Sequence, residues 1–76
     1  MQAADLRANE WYDHEQQVAY GEAKRRGQDC FDFRFYLRAS PDQLGYLWKE
    51  VNPMQAAWEH FLGRGILDGR PYRYLC

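Results

Sequence analysis

Little in this chain points to chemistry. Cysteine occurs only twice, as Cys30 and Cys76, which is too few for a disulfide scaffold or a four-ligand zinc site. Cys76 lies where the chain is expected to fray, so both thiols are expected to stay reduced. A surplus of either charge is missing as well. The net charge of −1 gives the whole chain no general pull toward nucleic acid or an anionic membrane. No apolar run approaches the length of a bilayer span, and no leader-like segment stands out; the expectation is a soluble, cytoplasmic protein. There is no Gly-rich phosphate loop, no Ser/His/Asp motif and no internal repeat. Glu10 and His14 stand four apart beside Asp13, but no third ligand follows at a recognisable spacing. A Cys30–His60 couple depends on the fold to bring it together. Neither catalysis nor a cofactor nor a metal is expected.

Rings, by contrast, are plentiful. Three Trp, six Tyr and four Phe occur in 76 residues, enough either to fill a small core or to furnish an interface. A chain of this length forms one small domain, residues 1–76, and buries only about 60% of its unfolded surface. The stretch Phe31–Arg38 carries the clearest pattern. Phe31, Phe33, Phe35 and Leu37 alternate with Asp32, Arg34, Tyr36 and Arg38, the two-residue period of a half-buried strand. This reading turns the Phe rings toward a core and Arg34, Tyr36 and Arg38 toward water or a partner.

Helical spacing surrounds that strand. Ala8, Trp11, Tyr12, Val18, Ala19 and Ala23 predict a helix from about Ala4 to Arg26, with Lys24, Arg25 and Arg26 in its last turn and Gly27 as its stop. Gly21 allows a kink. Ser40-Pro41-Asp42-Gln43 predicts a capped second helix whose stripe is Leu44, Leu47, Trp48 and Val51. Asn52-Pro53 ends it and starts a third, with Met54, Ala57, Trp58, Phe61 and Leu62 on one face. Trp11, Trp48 and Trp58 are assigned to the core. Gly63 and Gly65 end the third helix, and Asp68-Gly69 predicts a hairpin turn between Gly65–Leu67 and Arg70–Leu75.

The predicted fold is therefore α+β, three helices against a small antiparallel sheet, in the order helix, strand, helix, helix, hairpin. This order is similar to the winged-helix version of the helix-turn-helix, and the stretch from Phe61 to Tyr74 looks like the end of a recognition helix followed by a wing. The resemblance implies a recognition helix at Pro53–Leu62 and a wing tip at Asp68–Arg70. A plain α+β sandwich fits the same order.

Two functions follow from these readings. The first is a non-enzymatic interaction protein that binds a larger protein or protein complex and inhibits or modulates it. Its binding surface is expected at Arg34, Tyr36, Arg38, Arg70, Tyr72 and Arg73, because Tyr and Arg dominate protein hot spots. In overall character such a protein resembles the compact inhibitors that phages and mobile elements encode, anti-CRISPR proteins among them. The second is a winged-helix DNA-binding regulator using Gln55, His60, Arg64, Arg70 and Arg73. Residues 30 to 76 hold six Lys/Arg against five Asp/Glu, a sparse charge for phosphate contacts. The aromatic-basic residues could also stack on single-stranded nucleic acid, or simply pair across an exposed sheet. A homodimer built through strand edges or the first helix is compatible with either function.

Overall fold

The computed structural model describes residues 13–76. The expected helical start at Ala4, with Ala8, Glu10, Trp11 and Tyr12, lies outside the described residues. Helix α1 spans His14–Arg26. Its start is a capping box: Asp13 Oδ1 accepts from the Gln16 N–H (2.8 Å) and Gln16 Oε1 accepts from the Asp13 N–H (2.9 Å). The helix runs unbroken through Gly21 and buries Ala23. Gly27, at φ +87°, ends it as expected.

The strand expected at Phe31–Arg38 is a helix, and no strand or sheet forms among the described residues. After a 3₁₀ turn at Gln28–Cys30, helix α2 spans Phe33–Ala39. Asp32 caps it, Oδ1 accepting from the Phe35 N–H at 3.0 Å. Over eight residues the two periods overlap. Phe33, Tyr36 and Leu37 follow helical spacing as well as Phe33, Phe35 and Leu37 follow strand spacing, provided Tyr36 is counted as apolar. It is: Tyr36 and Leu37 are buried, while Phe33 and Phe35 are only half-buried. A lone strand leaves its backbone groups to a partner, whereas a helix pairs many of them internally.

Helix α3 is short, Pro41–Leu44, and passes into a 3₁₀ segment at Gly45–Lys49. Ser40 makes no capping bond, contrary to expectation. Leu44 and Leu47 are buried, but Trp48 and Val51 stand exposed, so the expected stripe covers the core with only half its length. Trp48 packs its ring against Phe33 at 5.8 Å. The Asn52-Pro53 start holds: Asn52 Oδ1 accepts from the Gln55 N–H at 3.1 Å, and helix α4 spans Pro53–His60.

The expected hairpin is absent. Helix α4 continues through a π-helical turn at Phe61–Gly65, where the Ile66 N–H reaches Phe61 O, into a last turn α5, Ile66–Asp68. Gly63 and Gly65 therefore do not end the helix. Gly65 serves a close approach instead, since a Cβ there would overlap the Tyr36 hydroxyl. Gly69 adopts φ +70°, ψ +30° and closes the helix, with Gly69 N–H on Ile66 O (3.2 Å) and Arg70 N–H on Gly65 O (3.0 Å). The same Asp-Gly chemistry that makes a hairpin turn makes a helix end.

Residues 70 to 76 return past the start of α2. One antiparallel bridge joins Phe31 to Tyr74, with Asp32 N–H donating to Arg73 O (3.1 Å) and Leu75 N–H to Cys30 O (2.6 Å). Cys30 and Cys76 are joined by a disulfide with Cα atoms 5.5 Å apart, which overturns the expected reduced thiols. The α+β, winged-helix reading is corrected to a small, mostly helical fold. Its core packs Phe31 against Phe61 (4.7 Å), Tyr36 (5.4 Å) and Trp58 (5.4 Å), flanked by Leu37, Leu44, Leu47, Ala57 and Ile66. Among the described residues, no helix is long and apolar enough to cross a membrane.

Candidate partner-binding groove

Helix α2 displays Arg34 and Arg38 one turn apart on its exposed side. Between them Phe35 lies half-buried. The returning tail brings Arg73 and Leu75 to the same place, and together with Asp32 and Ala39 these residues line an open groove of about 460 Å³. Arg73 is anchored rather than free. Its Nε donates to Asp32 Oδ2 at 2.7 Å, and its guanidinium lies 4.7 Å from the centre of the Phe35 ring. Arg34 rests over Phe33 at 5.3 Å. Neither Arg34 nor Arg38 forms an ion pair with another described residue.

Asp32 is the hinge of this arrangement. One carboxylate oxygen caps α2 and the other holds Arg73. These bonds, first the Phe35 N–H and then the Arg73 side chain, keep its carboxyl below the usual range. Three guanidiniums face one carboxylate whose oxygens are both engaged, so the groove carries a formal charge of +2. It presents planar, bidentate donors beside an aromatic floor.

Of the six residues expected at a partner surface, the structure gathers Arg34, Arg38 and Arg73. The other three lie elsewhere. Tyr36 turns inward at 1% exposure, its hydroxyl 2.8 Å from His60 Nδ1. Arg70 does not line the groove; it donates to Gln43 Oε1 (2.5 Å) and stands 3.6 Å from Asp68. Tyr72 packs on Phe61 at 4.7 Å. Sequence reasoning missed Asp32, Phe35 and Leu75. A cap signal at Asp32, followed by Arg34 and Arg38 at helical spacing, was the cue.

Of the five residues expected to meet DNA, the structure brings His60, Arg64 and Arg70 together around Asp68, while Gln55 and Arg73 are engaged with other partners. Gln55 donates to Glu59 (3.1 Å), Arg64 stands 3.6 Å from Asp68, and Arg73 sits in the groove of α2. The wing residues Asp68–Arg70 form a helix end. The pKa of His60 is lowered by burial and then by Arg70; burial raises that of Tyr36. Cys30 is engaged in its disulfide, so the imagined couple with His60 is not formed. The proposed Glu10–His14 pair includes a residue outside the described ones. Among the described residues, no three His, Cys, Asp or Glu side chains gather as a metal would require. No protein-family model matches this chain, and no curated protein or solved structure is significantly similar to it.

Proposed function

We propose that this is a non-enzymatic binding protein that docks an acidic segment of a larger protein in the groove of α2, and so inhibits or modulates that protein. One observation carries the reading: Arg34, Arg38 and Arg73 converge around Phe35, two of them without an ion-pair partner among the described residues. Arginine and aromatic side chains in a concave patch are the usual anchors of protein interfaces. Guanidinium groups match carboxylates bidentately, and charge complementarity sets the choice of partner. The inhibitors encoded by phages and mobile elements remain the class this reading resembles.

The test is a pull-down from bacterial lysate with nuclease present, using the wild-type chain and the double variant Arg34→Glu/Arg38→Glu. Both side chains face water, so the melting temperature should hold. Affinity for the captured protein should fall by at least about 30-fold, on the order of 2 kcal/mol. Equal capture by the two proteins, with an equal fold, would place the working surface elsewhere.

A further inference from the structure

We propose that the Cys30–Cys76 disulfide is a reducible latch on one wall of the arginine groove, so that thiols switch the groove between a closed, strongly cationic form and an open, weaker one. This rests on the groove reading above and adds its regulation. The groove is built from two pieces of chain far apart in sequence. Helix α2 supplies Arg34, Phe35 and Arg38, and the tail supplies Arg73 and Leu75. Apart from the disulfide, few polar contacts hold the tail at the groove. They are the two backbone bonds at Asp32 and Leu75, the Asp32–Arg73 ion pair, the Arg26 bond to Cys76 O (2.8 Å), and the guanidiniums of Arg26 and Arg73 on the Tyr74 and Phe35 rings. Arg73 is 63% exposed in its side chain, and the bridge at Tyr74 is a single pair rather than a ladder. Segments held by a few solvent-exposed bonds open at low cost. The crosslink is what keeps this one in register.

The chemistry is ordinary thiol–disulfide exchange. Cys76 is exposed while Cys30 is buried at 4% exposure, so an incoming thiolate has access from the Cys76 side. It attacks the Cys76 sulfur and forms a mixed disulfide. The Cys30 thiolate leaves and takes a proton. A second thiol then resolves the mixed disulfide. The reductant emerges oxidised as its own disulfide, and both protein cysteines as thiols. Release of the tail withdraws Arg73 and Leu75, leaving Arg34 and Arg38 opposite an Asp32 carboxylate that has lost its partner. The formal charge of the groove drops from +2 to +1, and the Phe35 ring loses the guanidinium stacked on it. The centre of the core is outside this event: Phe31, Leu37, Ala57 and Phe61 belong to the buried cluster, and of the released residues 73 to 76 only Tyr74 packs against its edge.

The experiment uses the full chain near 15 °C, oxidised and then treated with dithiothreitol, with Cys76→Ser as a variant that mimics the open form without reductant. Amide hydrogen exchange is read at Asp32, Leu75 and α4. Anisotropy reads binding of a fluorescein-labelled hexaglutamate peptide at low ionic strength. The expected result is faster exchange at Asp32 and Leu75, with α4 still far better protected than the tail, and peptide affinity at least about tenfold weaker. Cys76→Ser should match the reduced chain and ignore dithiothreitol. Unchanged exchange at Asp32 and Leu75 overturns the latch. So does exchange in α4 that becomes as fast as at Asp32 and Leu75, which would mean that the tail opens only with the whole fold, or equal peptide binding by both forms. If exchange changes only in the tail while the oxidised chain ignores the peptide, the mechanical latch stands and the acidic-partner reading fails.

Discussion

Tyr36 shows how one side chain redirects a reading. Treated as polar, it completes an alternating strand; treated as a ring with a polar tip, it belongs in the core, with its hydroxyl hydrogen-bonded to His60 Nδ1. Nothing in the order of residues reveals that His60 would stand within hydrogen-bond reach. The pair also predicts a pH effect. The folded-state pKa of His60 is lowered, mainly by burial and then by Arg70 and Arg64. The unfolded chain therefore takes up the proton first as pH falls, and stability is lost below the ordinary histidine pKa of about 6.5. Urea midpoints should decline between about pH 7.5 and 5.5 in the wild type. His60→Gln, which keeps an acceptor but cannot titrate there, should flatten that slope. A wild-type slope that survives in the variant would assign the effect to another group.

The legibility of the elements depended on whether their signals were specific to one structure. Gly27 after three basic residues, and Asn52 before Pro53, have few other uses in a chain, and both boundaries were found where expected. Gly69 fits a hairpin turn and a helix end alike, and only the packing of Ile66 and Gly65 against the core decides between them. Asp32 reads equally as a polar residue of a strand and as a cap before Arg34 and Arg38, and the order of residues does not decide, because its bond to the Phe35 N–H exists only in the helix. That dual role can be separated by substitution. Asp32→Ala removes both the cap and the Arg73 partner, and should cost about 1–2 kcal/mol in urea unfolding. Asp32→Asn keeps a capping oxygen, so most of that loss should be restored while Arg73 loses its charged partner. Equal destabilisation by the two variants would show that the ion pair, rather than the cap, holds α2 in place.

At the scale of the molecule, the groove could not be read from the chain because it joins α2 to a tail some forty residues away through a bond that the cysteine count argued against. Arg34 and Arg38 were found for a different reason, their place on the outer face of a supposed strand, and they remain outward on the helix. Arg73 joined them only through the return of residues 70 to 76. The disulfide should matter to stability as well as to shape. It closes a separation of 46 residues, for which chain entropy in the unfolded state gives a contribution of about 4 kcal/mol. In a domain of this size each kcal/mol moves the melting temperature by about 4–8 °C, so reduction should lower it by roughly 15–30 °C. The helical core should nevertheless stay folded near the temperature of maximum stability, about 10–20 °C, since its rings pack without the tail's last residues. Circular dichroism melts of the chain with and without dithiothreitol measure both quantities. A melting temperature that moves by only a few degrees would mean that the reduced tail stays docked, its backbone bonds to Cys30 and Asp32 sufficing without the crosslink.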